Sequence, residues 1–182
     1  MIRRQRFRSS SKSLKPKLPD PLGSEDRSED ARRQDALDRA FSFISRRERT
    51  QAQLVSRLER DGVEEGLVAD VVGQMVADGY ISDQRYAALY AEDRRNLDGW
   101  GNERIASHLR EVGISPEIVA AVVDSRSHSD QVDDGVAVLS ERVGKPPSDE
   151  RERERALGVL ARRGYSLEVA YEAVRKFERA EQ

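Results

Sequence analysis

The chain has 182 residues, of which 37% are hydrophobic and 36% are charged, and its net charge at pH 7 is −2. Ordinary globular chains hold about 45–50% apolar and about 25% charged residues, so these proportions argue against one thick core and favour a series of thin units. The absence of cysteine, and the presence of only two histidines, His108 and His128, argue against disulfides, thiolate metal sites and most imidazole chemistry.

Residues 1–33 are predicted to form a disordered tail, because they mix proline, serine and charge with little periodic hydrophobicity. Residues 1–19 hold seven basic side chains and no acidic one: Arg3, Arg4, Arg6, Arg8, Lys12, Lys15 and Lys17. The tail lacks the apolar stretch of a signal peptide, and no apolar run approaches the roughly 20 residues of a membrane span, so we expect a cytoplasmic protein that does not enter membranes. The tail is either solvated and dispensable or an electrostatic contact for nucleic acid.

From residue 35 onward, the organising feature is a repeat of 51 residues. It is marked by three glycines, Gly62, Gly113 and Gly164. A leucine lies four residues before each glycine in all three copies, and apolar residues lie six, nine and ten residues after it. This spacing predicts two helices that meet at a turn, with glycine in the left-handed conformation that closes the first helix.

A third helix precedes each pair, because Ala36, Leu37 and Ala40 align with equivalent apolar positions one repeat later. The predicted helices lie near 35–46, 50–61, 64–78, 83–97, 102–112, 115–125, 130–143, 149–163 and 166–180. Thr50 with Gln53 predicts a capping box, and Ser115 before Pro116 predicts a capped start. Further predicted N-caps are Ser82, Asn102, Ser148 and Ser166.

The predicted fold is therefore all-α, with three tandem three-helix repeats that resemble helix-turn-helix units. We expect the units at 35–81, 82–127 and 128–182. A unit of about 45 residues is marginal by itself, so neighbouring units are expected to dock on one another in an elongated, curved array.

The helix-turn-helix spacing raises the question of DNA binding. Outside residues 1–19 the chain carries 25 basic against 34 acidic residues, and phosphate contacts supply much of the affinity for nucleic acid. The first turns that would face DNA carry carboxylates, among them Glu64, Glu117 and Glu168. We therefore do not expect sequence-specific DNA binding.

An enzymatic function is not expected either, and no cofactor is predicted. The cluster Gly99-Trp100-Gly101 lacks the strand and third glycine of a phosphate-binding loop, so it is interpreted as a turn. His108 has no second ligand at metal-binding spacing and is interpreted as a partly exposed surface residue. The many carboxylates do not single out an acid–base pair.

Each of the three units carries a specific sequence motif. The first unit contains Ser45-Arg46-Arg47-Glu48 before Gln53-Leu54. The second contains Asp83-Gln84-Arg85-Tyr86-Ala87, Tyr90, Arg94, Gly99-Trp100-Gly101 and Arg104-Ile105. The third adds Arg162-Arg163-Gly164-Tyr165-Ser166. Together these motifs resemble those of the RecX family of bacterial regulators of the RecA recombinase. The resemblance covers residues 36–180 and departs at Asn102, where proline is expected.

The resemblance implies a monomeric, non-enzymatic protein that binds in the groove of the RecA–DNA filament and bridges neighbouring protomers. It also implies inhibition of ATP hydrolysis, strand exchange and co-protease activity, and hence modulation of recombination, DNA repair and the SOS response. The alternative is a helical-repeat protein that binds single-stranded or double-stranded DNA directly through its basic tail and arginine clusters.

Arginines inside or beside these motifs are the candidate partner-binding residues, because arginine is enriched at protein interfaces and pairs bidentately with carboxylates. They are Arg46, Arg47, Arg49, Arg94, Arg95, Arg104, Arg162 and Arg163. Each could instead be a solvated cation at a helix end. Tyr86 and Tyr90 lie four residues apart on one helical face and are expected in the core.

Overall fold

The computed structural model describes residues 24–179, with side chains from Ser28 onward. Every regular element in that range is an α-helix, which confirms the all-α prediction. The helices are α1 Ser24–Ile44, α2 Gln51–Arg60, α3 Glu65–Ala77, α4 Asp83–Asp98, α5 Asn102–Glu111, α6 Pro116–Asp124, α7 His128–Arg142, α8 Glu150–Ala161 and α9 Leu167–Arg179. Successive groups of three helices form three units, each around its own cluster of buried apolar side chains.

The cores are thin, as the composition predicts. The first is built from Leu54, Leu58, Val71 and Met75 with the small residues of α1. The second and third keep the same repeat positions; their fully buried members include Ile105, Leu109, Val119, Leu139, Leu160 and Val174. The alanines on the first helix of units one and two let that helix approach closely, so a narrow apolar stripe suffices to hold it.

Helix α1 begins at Ser24, so the assignment of residues 24–33 to a disordered tail is wrong; residues 1–23 lie outside the described residues. The extension is rich in charged residues, and residues 28–33 are exposed, so this stretch carries no apolar period. Arg33 Nη2 donates to Gln74 Oε1 of α3 at 2.9 Å, which ties the extension to the first unit.

Most predicted helix starts are confirmed. Thr50 and Gln53 form a reciprocal capping box, and Ser115 caps α6 with Pro116 in its first turn. Asn102 and Ser148 are not caps: Gly101 precedes α5, and the Asp149 carboxylate accepts from the backbone at the start of α8.

The three repeat glycines adopt the predicted left-handed conformation, with φ of +80° at Gly62, +85° at Gly113 and +82° at Gly164. In the second and third units the same turn also contacts the preceding unit. Thr50 Oγ1 donates to the Val112 carbonyl at 2.8 Å. The backbone N–H of Gly101 donates to the Arg163 carbonyl at 2.8 Å. Neighbouring units therefore join through one repeated contact between a glycine turn and the start of the preceding unit's second helix.

The helices that the structure describes are all too short or too polar to cross a membrane.

Candidate partner-binding surface

The turn between α1 and α2 presents the first group of candidate arginines. Arg46 and Arg47 are exposed. Arg49 is half-buried, with its guanidinium carbon 4.3 Å from the centre of the Phe43 ring. Its Nε is buried without a hydrogen-bond partner, and burial together with the Arg47 charge lowers the pKa of Arg49. Because this half-buried cation has an Nε without a hydrogen-bond partner, the turn is a favourable place for an incoming anion.

Tyr86 and Tyr90 on α4 lie beside this turn rather than wholly inside the core. Their rings are parallel, with centroids 6.0 Å apart, and the His108 ring stacks on Tyr90 at 4.3 Å. Both tyrosines are half-buried and pack against the core of the second unit, so the prediction of a core position is correct in part. Burial raises the pKa of both phenols, so both stay neutral at pH 7.

Trp100 extends the aromatic surface toward the third unit. The guanidinium carbon of Arg104 lies 4.0 Å from the centre of its ring. The guanidinium of Arg94 lies 5.4 Å from the Tyr90 ring and 5.7 Å from Trp100, while it also pairs with Asp98. Cations held over aromatic faces are already partly ordered, so little side-chain entropy remains to be lost when a partner binds.

These side chains form one continuous surface across the first two units, which we call the arginine–aromatic face. It consists of Arg46, Arg47, Arg49, Tyr86, Tyr90, Arg94, Trp100, Arg104 and His108. A cleft of about 390 Å³ opens on it between the units, with Tyr86, Tyr90 and His108 in its walls and Arg47 and Arg49 at one side. Glu48 also borders this cleft, but its carboxylate pairs with Arg85 at 3.0 Å.

Arg95 does not belong to this face, although it follows Arg94 in sequence. Its Nη2 donates to Asn102 Oδ1 at 2.9 Å and to the Val122 carbonyl at 3.2 Å. Asn102 Nδ2 in turn donates to the Val123 carbonyl at 3.1 Å. Arg95 is half-buried, and burial lowers its pKa. The guanidinium therefore links α4, α5 and the end of α6 inside the second unit.

Arg162 and Arg163 lie at the junction of the second and third units. The Arg162 carbonyl accepts from Arg104 Nη1 at 3.1 Å, and the Arg163 side chain packs beside Gly99. The Arg162 side chain is exposed and that of Arg163 is half-buried. The junction thus brings both residues near Arg104 at one end of the face.

The candidate list from sequence omitted the aromatic half of the surface. The sequence predicts Trp100 in a turn and His108 as a partly exposed surface residue, and both positions are correct; it does not predict that both stack with neighbouring rings or cations. The signal was the motif itself, because Tyr86, Tyr90 and Trp100 lie within the same segment as Arg94 and Arg104. Arginine and aromatic residues together are typical of the energetically dominant part of a protein interface.

Comparison with known proteins identifies the family. Two family models match this chain: the first three-helix domain of RecX over residues 36–75, and the second over residues 82–123. A regulatory protein RecX of Thermobifida fusca (strain YX) is 31% identical over 143 residues, which cover 76% of each chain. The chain belongs to the RecX family.

Other RecX proteins agree over most of the length. A regulatory protein RecX of Mycobacterium sp. (strain KMS) is 28% identical over 162 residues, 86% of each chain. The RecX crystal structure from Lactobacillus salivarius superposes with a TM-score of 0.75 at 18% identity, over 82% of this chain and 98% of the other. A second RecX crystal structure gives 0.72 at 22% identity, over 86% and 79%. At these identities the structural likeness supports the fold alone.

Membership in the RecX family gives this chain a regulatory role. The two matched RecX domains are the units that carry the arginine–aromatic face, from Arg46 in the first to His108 in the second. Of the motif residues, most arginines and the rings of the first two units lie on this face, whereas Leu54, Ala87 and Ile105 are buried in the cores.

Proposed function

We propose that this RecX protein binds the RecA–DNA filament through the arginine–aromatic face. Binding inhibits ATP hydrolysis, strand exchange and co-protease activity of the filament, without any catalytic step of its own. The observation that carries the proposal is the face itself: a row of cations and rings that crosses two units of a body in which acidic residues outnumber basic ones outside the tail.

The physical state of the cations supports a protein partner. Arg46 and Arg47 are exposed and form no ion pair within the described part of the chain, so they are available for carboxylates of a partner. Arg49, Arg94 and Arg104 lie over rings, so a partner meets cations whose positions are already fixed. Interfaces of this composition concentrate their binding energy in a few buried aromatic and arginine side chains.

The arrangement of units supports a partner that is itself a repeating assembly. Each junction holds a turn of one unit against a helix start of the preceding one, so the spacing between units is set by the fold. A chain of docked units can contact more than one protomer of a helical filament at once. Simultaneous contacts raise the overall affinity above that of any single one.

Inhibition of the RecA ATPase on single-stranded DNA tests the proposal. The double reversal R46E/R47E replaces two positive charges by two negative ones at exposed positions, a net change of −4. Like charges across an interface cost several kcal/mol. We expect it to need more than about tenfold higher concentration for half-inhibition than the wild type. R151E/R155E, which changes two exposed arginines of α8 outside the face, is the matched control and should stay within about twofold.

If R46E/R47E inhibits as well as the wild type, the face does not contact the filament. If the wild type has no effect on the ATPase at any ratio to RecA, the proposed inhibition itself is wrong. Far-UV circular dichroism should be the same for all three proteins, because the four substituted side chains are exposed.

One observation favours a second candidate, direct binding of single-stranded DNA. Tyr86, Tyr90 and Trp100 are partly exposed and alternate with arginines, and single-strand binding sites use rings to stack bases and cations to track phosphates. Binding to naked single-stranded DNA weakens steeply as salt is added. Binding to a protein surface does not require naked DNA.

A further inference from the structure

A second group of side chains, far along the chain from the arginine–aromatic face, lies between α7 and α9 in the third unit. It consists of His128 in the first turn of α7 and of Glu168 and Glu172, one turn apart on α9. One ligand atom from each of the three residues lies within 4.8 Å of the others. A nitrogen and two carboxylate oxygens converge at this point.

The backbones that carry these three residues are held firmly. Helices α7 and α9 approach so closely that a Cβ on Gly135 would lie 2.9 Å from the Ala173 Cβ. Lys176 of α9 pairs with Asp133 of α7, and Ser127 caps α7 by accepting from the Asp130 N–H at 3.1 Å. Ligands on rigid, packed helices can meet a metal ion with only side-chain rotations.

We propose that His128, Glu168 and Glu172 form a binding site for a divalent transition-metal ion, with Zn²⁺ as the best-matched example. Imidazole and carboxylate are common Zn²⁺ ligands, at about 2.0–2.2 Å from the metal. Mg²⁺ and Ca²⁺ prefer sites made of oxygen alone. His128 Nε2 already lies 3.0 Å from Glu172 Oε2, and a metal ion would replace that hydrogen bond by ligation of both groups.

The surrounding charge sets the strength of the site. Two carboxylates balance the dication, whereas Arg175, Lys176 and Arg179 line the adjoining cleft. Lys176 is neutralised by Asp133, which leaves two cations nearby. Both His128 and Glu172 are also about half exposed, at 47% and 42% of their side chains. We therefore expect reversible binding rather than a permanently loaded structural metal.

Binding would link the start of α7 to the first half of α9 and stabilise the third unit. Because the site is separate from the arginine–aromatic face, the proposal does not depend on the RecA-binding function.

Because the chain has only two histidines, the test can distinguish His128 from His108. The full chain is prepared without an affinity tag, and the ¹H–¹³C signals of its two imidazoles are followed as Mn²⁺ is added below one equivalent. We expect the His128 signal to broaden while that of His108 stays sharp.

Calorimetry with Zn²⁺ should then show one site, with at least a tenfold loss of affinity in H128A and in E168Q/E172Q, and no loss in H108A. Mg²⁺ at the same concentration should give no binding.

H128A and E168Q/E172Q are expected to fold normally, since the replaced groups lie at the surface, and their melting temperatures in EDTA provide the check. Zn²⁺ should raise the melting temperature of the wild type and of H108A, but not that of H128A. Equal broadening of both imidazoles, or Zn²⁺ affinity in H128A equal to the wild type, would overturn the site.

Discussion

The turns at Gly62 and Gly164 share one sequence pattern and one backbone conformation, yet they have different neighbours. A Cβ on Gly62 would meet open space, whereas on Gly164 it would collide with the backbone and Cβ of Arg104. Gly113 is intermediate, because a Cβ there would collide with the Ala52 methyl group. The glycine therefore reverses the chain in all three units. Only in the second and third does its lack of a side chain also make room for the preceding unit.

The backbone carbonyl just before each glycine shows the same difference between the first unit and the other two. In the second and third units it accepts from the preceding unit, through Thr50 Oγ1 at Val112 and the Gly101 N–H at Arg163. The first unit has no predecessor in the described chain, and there Arg39 Nη1 of its own α1 donates to the Asp61 carbonyl at 2.9 Å. The first unit thus caps the array with its own side chain, as terminal repeats must.

The largest effect is expected from G164A. An alanine at position 164 costs about 1–2 kcal/mol for the left-handed backbone. The clash of its methyl group with Arg104 costs about 1–3 kcal/mol more, because the second and third units must move apart. We expect a loss of about 2–5 kcal/mol in the free energy of unfolding, measured by urea denaturation. A loss below about 1 kcal/mol would mean that the junction yields freely.

A somewhat smaller effect is expected from G113A, because the methyl group it meets belongs to a side chain rather than to backbone. The collision can be relieved by removing that methyl group. We therefore expect the double variant G113A/A52G to lose less stability than the sum of the single variants, with a coupling of at least about 0.5 kcal/mol in a double-mutant cycle. Strict additivity would show that Ala52 and Gly113 do not touch.

Thr50→Val removes the cap of α2 and the hydrogen bond to the Val112 carbonyl while keeping the shape of a fully buried side chain. Loss of a cap costs about 0.5–2 kcal/mol. The expected result is a destabilisation of about 1–2 kcal/mol by thermal or urea unfolding. Thr50→Ser, which keeps the hydroxyl, is the control and should retain most of the stability.

The smallest effect is expected from G62A, which introduces backbone strain without a collision. A destabilisation of about 1 kcal/mol should appear in the urea transition. The order G164A, then G113A, then G62A is the sharpest form of the comparison. If G62A were as harmful as G164A, the contacts between units would contribute nothing at these turns.

The period of 51 residues predicts the helix pairs and the left-handed glycines, and local capping signals predict the caps at Thr50 and Ser115, because each of these features leaves a mark on the sequence. The start of α1 leaves no such mark, since the charge-rich residues 24–33 have no apolar period. Arg94 and Arg95 are chemically identical neighbours, but successive residues point about 100° apart around a helix. Arg94 therefore reaches the Tyr90 and Trp100 rings, whereas Arg95 reaches Asn102. Only the packing of α4 determines which arginine points which way.

Whether the arginine–aromatic face recognises a protein filament or naked nucleic acid can be measured in one experiment. Fluorescently labelled wild type and R46E/R47E are titrated with single-stranded DNA, bare or coated by RecA with a slowly hydrolysed ATP analogue, at about 0.15 M salt. We expect the wild type to bind the RecA-coated strand at least tenfold more tightly than the bare strand, and R46E/R47E to lose that advantage. Equal affinity for both strands, falling steeply with salt, would contradict the proposal and favour direct DNA binding.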